Sequence, residues 1–330
     1  MRTNVSPEQS EFLLAFEGKN KRVPVWFMRQ AGRYLPQYQA LKANAPLREL
    51  FRNPEIAGAI TLQPLEILRV DAAILFADIM TMPSGMGFHI DFVDGKGPVI
   101  QNPLRHGSDL QRIGKFSGLE HVNRTIQLIN AVLPPSIPLI GFAGSPYTVL
   151  TYLCPRHNHL MFEDPKSFHA FMALLTDNTI AYLKQQQKAG IRAFQLFDTW
   201  AGSLRREEYE AFVLPYVQKV FKSVKLPSIY YLKNCAHLFD LMEKSGAQML
   251  SVCETVDVSI KTSKGIQGNL LNTMLYAPPE ALMTEVARLL KTAKKHHRKY
   301  IFNLNHGVLP DTDPLKLKSV VDAVHKFKWA

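Results

Sequence analysis

Cysteine is scarce: Cys154, Cys235 and Cys253 are the only three in 330 residues. Three scattered thiols exclude a disulfide framework, and without a C-x-x-C pair there is no structural zinc signature. No uninterrupted apolar run approaches the ~20 residues that a membrane-spanning helix requires. Residues 1–20 contain no basic segment followed by an apolar core of the signal-peptide kind. A cytoplasmic protein with no membrane partner is therefore expected. Also missing are a Gly-x-Gly-x-x-Gly dinucleotide fingerprint, a Gly/Ser-rich linker, a shift in composition and an internal repeat, so one domain over residues 1–330 is expected. Nothing resembles a helix-turn-helix, a zinc finger or an RNA-binding aromatic motif, so no nucleic-acid partner is expected either.

What is present is 46% hydrophobic residues, enough to fill one large core. Thirty-nine basic against 28 acidic side chains give a formal charge of +11. The basic residues are spread along the chain, a balance that suits a polyanionic small molecule. One dense basic cluster, residues 291–299 with His296 and His297, falls at the end of an amphipathic helical pattern. Cations suit that negative end of the helix dipole, so the cluster reads as a solvated face.

Short β-rich apolar runs alternate with longer helical patterns. The candidate strands lie at 25–28, 73–76, 139–142, 193–197, 228–232, 248–252, 265–268 and 300–304. The candidate helices lie at 53–68, 122–132, 165–188, 207–225, 235–244 and 279–295, with Pro54, Pro165 and Pro279 at positions where a helix begins without losing a hydrogen bond. Eight strand-helix rounds predict an α/β fold, a single (β/α)8 TIM-type barrel. Residues 88–100, around Asp94-Gly95-Lys96-Gly97-Pro98, predict a hairpin inserted after the second strand.

Arg29, Asp78, Asp198 and His306 each fall within two residues of the end of a different candidate strand. Parallel strands in a barrel bring those ends to one face, where catalytic groups gather. Taken singly, Asp198 or His306 reads as a polar residue capping a helix; four equivalent positions point to a site. Arg29 and Arg33 stand four apart behind the apolar run 24–28. A guanidinium stays charged and grips carboxylates through paired hydrogen bonds, so this segment is a candidate anion site.

The segment Trp26-Phe27-Met28-Arg29-Gln30-Ala31-Gly32-Arg33-Tyr34-Leu35-Pro36 resembles the N-terminal signature of the uroporphyrinogen decarboxylases. Ile137-Pro138-Leu139-Ile140-Gly141-Phe142-Ala143-Gly144-Ser145-Pro146-Tyr147-Thr148 resembles their second signature. Similarity continues through residues 71–79, 195–202 and 303–307, so it spans nearly the whole chain. The resemblance implies a carboxy-lyase of porphyrin and haem biosynthesis that converts the four acetate arms of uroporphyrinogen III to methyl groups, giving coproporphyrinogen III. It implies no metal or organic cofactor, because a pyrrole protonated at its α-carbon supplies the electron sink. It also implies a homodimer.

Residue by residue, Asp78 matches the family's cleft aspartate, which faces the pyrrole NH groups; its bland alternative is an N-cap on the segment that follows. Arg29 and Arg33 match the substrate-binding arginines, one of which is also discussed as a proton source. Tyr152 matches a tyrosine near the reacting acetate, although an aromatic on the inner face of a helix over 147–153 fits the same spacing. The resemblance assigns catalysis to Asp78, Arg29 and Tyr152. His306 matches a carboxylate ligand and possible proton relay, Thr199 a substrate-facing hydroxyl, and Phe197 and Met28 apolar walls.

Departures fall at Lys42, where the family pattern has an arginine, and in the loop 153–164, whose first residues are shorter than the family's and lack its glycines. Further departures are Cys253-Glu254 in place of Asp-Trp, and Leu271-Asn272 in place of Asp-Pro. They leave open a divergent paralogue that binds or decarboxylates another tetrapyrrole. A second alternative is a zinc-dependent corrinoid methyltransferase using Cys235, His237 and Cys253, although the His-x-Cys-Gly order of that group is absent.

Overall fold

Apolar runs become strands and the stretches between them become helices. The structure, a computed structural model, describes residues 10–93 and 97–329. In chain order the strands are β1 (Ala73–Ile74), β2 (Ile90–Val93), β3 (Gly97–Ile100), β4 (Leu139–Gly144), β5 (Ala193–Asp198), β6 (Ser228–Leu232), β7 (Met249–Ser251), β8 (Gly265–Gln267) and β9 (Tyr300–Ile301). All but β2 and β3 form one parallel sheet in the order β1-β4-β5-β6-β7-β8-β9. Strands β4 and β6 are buried at every position, as a parallel sheet covered on both faces requires. β2 and β3 pair antiparallel as the hairpin foreseen over 88–100; residues 94–96 lie outside the described residues.

The closed, eight-stranded TIM-type barrel is corrected by this topology. The sheet has seven strands and is open, with β1 and β9 as its edges. The missing strand is the run 25–28, of which Val25 alone forms a bridge, to Phe302. Side chains, two of the three distant in sequence, explain why. The Val25 amide donates to Asp71 Oδ2 at 2.8 Å, that of Phe27 to Gln30 Oε1 at 3.0 Å and that of Met28 to Asn303 Oδ1 at 3.3 Å. Pro24 has no N–H to give, so Trp26 alone donates to a neighbouring backbone, at Phe302 O. A ladder cannot propagate when its donors are taken by side chains.

The sheet nevertheless curls so far that opposite walls meet inside it. Trp26 Nε1 donates to Gln267 Oε1 on β8, and Gln267 Nε2 donates to Gln195 Oε1 on β5 and Ser251 Oγ on β7, each at 2.9 Å. These inward groups are buried, so each hydrogen bond offsets a desolvation cost that an unpaired amide would carry.

Helices pack outside the curl. Pro54–Leu68, Pro165–Ala189 and Pro279–His296 begin at the three prolines named above. Asn53 and Asp164 cap the first two by accepting from Ile56 N and Ser167 N. The candidate helix 207–225 is broken into Arg206–Phe212 and Leu214–Ser223, because Pro215 has no N–H for the carbonyl one turn earlier. No described helix is long and apolar enough to cross a membrane.

Candidate active site

The ends of the parallel strands border a cleft of about 410 Å³. Its chemistry begins with a tight turn after Met28. The Gln30 amide donates to Phe27 O, and the Gln30 side chain ties the turn to β1 by donating to Ala72 O at 3.0 Å. Arg29, at the apex, takes a positive φ of 61°, a left-handed conformation costing roughly 1–3 kcal/mol for a residue with a Cβ and persisting only where neighbours enforce it. Gly307 completes the seat: a Cβ there would lie 2.5 Å from Arg29 Cδ and 2.8 Å from Cγ. The arginine stem thus lies directly on the backbone of the loop that carries His306.

Arg29 and Arg33 both line the cleft and both are exposed. Neither guanidinium forms an ion pair with a described residue. Asp78 is the one carboxylate lining the cleft among the described residues. Its Oδ1 accepts from Met80 N at 2.8 Å, and its own amide donates to Thr81 Oγ1 at 3.1 Å. No described residue donates to Oδ2. The aspartate is therefore both a local cap and a half-free acceptor. Burial lifts its carboxyl to about 6, against the opposing pull of the Met80 amide and the Arg29 charge.

His306 enters from the far wall. Burial, with the positive charges of Arg29 and Lys233 nearby, pushes its imidazole down to about 4, so it is neutral at pH 7. The loop that presents it is held by the departures noted in the sequence. Asn272 N donates to Asn305 Oδ1 at 2.9 Å, Asn272 Nδ2 to Gly307 O at 3.0 Å, and Asn305 Nδ2 to Glu254 Oε2 at 2.7 Å. Glu254 and Asn272 thus brace one loop together.

Met28, Tyr152, Phe197 and Thr199 complete the set of sequence-derived candidates, and all of them line the same cleft. Phe197 packs edge-on against Phe142, with ring centroids 5.5 Å apart. Tyr152 sits on helix Pro146–Leu153 against the half-exposed Trp200, at 6.2 Å. The loop 153–164, which lacks glycine in its first half, folds as a turn and the helix His157–Glu163.

Asp198 does not join them. It accepts from Thr148 Oγ1 at 2.7 Å and Tyr230 OH at 2.8 Å, fully buried on the helix side of the sheet. Strand alternation is the reason: Phe197 faces the cleft, so its neighbour faces away. The zinc-type candidates are not gathered either. Cys235 and Cys253 touch through their sulfurs at 3.4 Å, but His237 Nε2 bonds Leu204 O at 2.9 Å. Among the described residues no group of three or more His, Cys, Asp or Glu could hold a metal. Sequence reasoning missed Phe142 and Tyr231, which line the cleft. Register would have found Tyr231, since it pairs with Phe197 across β5 and β6 and so shares its face.

Comparison with known proteins bears on what such a cleft is for. The family model described as uroporphyrinogen decarboxylase matches residues 7–327. A uroporphyrinogen decarboxylase from Thermodesulfovibrio yellowstonii is 40% identical over 96% of this chain and 98% of that protein. One from Methylococcus capsulatus is 38% identical over 94% of this chain and 95% of its own length. Among solved structures, a methyltransferase from Methanosarcina mazei superposes with a TM-score of 0.79 over 95% of this chain and 97% of that one. At 20% identity that likeness concerns the fold alone. The family match over nearly all of the chain, and close relatives over nearly all of theirs, make this protein a member of the uroporphyrinogen decarboxylase family.

Proposed function

We propose that the cleft binds uroporphyrinogen III and removes carbon dioxide from its four acetate arms, giving coproporphyrinogen III. The observation that carries this reading is that, among the described residues, the cleft holds one carboxylate, Asp78, in the company of two guanidinium groups without an ion-pair partner, Arg29 and Arg33. Such a site suits a ligand that is anionic at its rim and becomes cationic at its centre. The volume lies within the ~300–1,000 Å³ usual for small-molecule sites, with the open side free for projecting arms.

The chemistry follows from those charges. Protonation of a pyrrole α-carbon makes the ring a cation and an electron sink. The neighbouring acetate then loses carbon dioxide, its bonding pair flows into the ring, a proton delivered to the resulting exocyclic methylene makes the methyl group, and loss of the proton first added at the α-carbon restores the neutral pyrrole. Asp78, ionised at pH 7, stabilises the ring cation, its Oδ2 accepting from the pyrrole NH groups. Arg29, Arg33 and neutral His306 hold carboxylate arms. Tyr152 and Thr199 offer hydroxyls that orient the reacting acetate, and Phe197 and Met28 are walls against the macrocycle. Because the substrate provides the sink, no metal or organic cofactor is needed.

The same reading takes residues 1–330 as one cytoplasmic domain that acts as a homodimer, with neither nucleic acid nor membrane as partner. Sedimentation at micromolar concentration tests the dimer; an active monomer overturns it. Anaerobic incubation with uroporphyrinogen III, followed by chromatography of the oxidised products, tests the activity. Seven- to four-carboxylate porphyrins are expected, and their absence from a folded sample refutes the reading.

A further inference from the structure

Tyr231, on β6, lines the cleft with Arg29 and His306, yet is only 2% exposed. Its ring lies between Phe197, with centroids 5.6 Å apart, and His306, at 6.2 Å. Its hydroxyl is buried and has no hydrogen-bond partner among the described residues. The contrast with the preceding residue is informative. Tyr230, on the other face of the strand, is paired with Asp198 at 2.8 Å and Tyr209 at 3.0 Å.

A buried phenol without an acceptor destabilises a fold, whereas phenylalanine would fill the same wall without that penalty. Burial also pushes the Tyr231 phenol up from its ordinary value, so it remains a donor at any working pH. No described residue supplies the acceptor it lacks, and a ligand bound in the cleft would. The positive charge of Arg29 acts on this hydroxyl more strongly than the opposing charge of Glu254, and the neighbouring imidazole of His306 is neutral. That setting favours an anionic acceptor over a neutral one.

We propose that Tyr231 is a substrate-positioning residue whose hydroxyl donates to one carboxylate arm of the bound tetrapyrrole, beside Arg29 and His306. The inference rests on the reading of the cleft as the tetrapyrrole site. It makes Tyr231 a discriminator: an arm ending in a methyl group leaves the phenol unpaired, whereas an arm ending in a carboxylate satisfies it.

The test is Tyr231→Phe in the full chain, which deletes the hydroxyl and keeps both ring contacts. The variant is expected to melt no lower than the wild type, while KM for uroporphyrinogen III rises about tenfold or more and kcat changes less, as for loss of a hydrogen bond to a charged group. Affinity for coproporphyrinogen III then identifies the arm. A parallel loss assigns a propionate, and an unchanged affinity assigns an acetate. A KM within about twofold of the wild type overturns the inference. If the wild type yields no decarboxylated product, the proposed activity fails separately. Tyr231 is then judged by uroporphyrinogen affinity alone: tenfold weaker in the variant upholds it, and equal affinity refutes it.

Discussion

Replacing Asp78 by asparagine should make the protein more stable and less active at once. The fold lifts this carboxyl from its ordinary 3.8 to about 6, which measures how much harder the charged form is to keep in the cleft than in the unfolded chain. About two units at ~1.4 kcal/mol each give about 3 kcal/mol as an upper value. Asparagine removes that cost, and its amide oxygen can still accept from Met80 N. The sign follows from the raised value. Asp78 favours the fold fully below about pH 4, and that contribution is lost as pH rises through about 6. Urea unfolding of Asp78→Asn and wild type should therefore diverge at pH 7 and converge near pH 4. Turnover should move the other way, falling ~100-fold or more as the stabiliser of the ring cation is lost, with a smaller change in substrate binding. A variant that is less stable at pH 7, or one that keeps most of its turnover, would refute the reasoning.

His306 should carry the opposite pH signature. With its imidazole held near 4, it contributes stability above the ordinary 6.5 that is lost as pH falls through about 4. Its ring resonances in the free protein should titrate near 4 and move to higher pH when coproporphyrinogen supplies carboxylates; a midpoint near 6.5 in the free protein contradicts the burial argument. Gly307→Ala should displace Arg29, since its Cβ would stand 2.5 Å from Arg29 Cδ. KM should rise about tenfold while the melting temperature changes little, and an unchanged KM would mean that Arg29 does not hold substrate from this seat. Prolonged treatment with a chelator should leave turnover intact, whereas a loss restored by zinc would revive metal-dependent chemistry.

The central strands were legible because β4, β6 and all of β5 but Phe197 are buried, and their largely apolar runs stand out in the sequence. Residues 25–28 read the same way and are not a strand. What decides their backbone is the capture of their amides by Asp71, Gln30 and Asn303, and two of those three lie far away in the chain. No local pattern carries that information. For the site, strand ends were a sound guide to which loops approach the cleft, and blind to direction. Asp198 and Tyr231 show both errors: alternation turns the first away and the second inward, and counting from Phe197 by twos and by register separates them. The bracing of the His306 loop by Glu254 and Asn272 was hidden for another reason. Departures that look unrelated in sequence compensate one another only where the loops meet.

The most direct measurement is an anaerobic crystal structure with coproporphyrinogen III bound. The account predicts the macrocycle in the cleft between Phe197 and Met28, its pyrrole nitrogens within hydrogen-bond reach of Asp78 Oδ2 and its propionates reaching toward Arg29, Arg33 and His306. A macrocycle bound elsewhere, for instance in the shallow basic hollow formed by Arg52, Lys115 and His121, would contradict it.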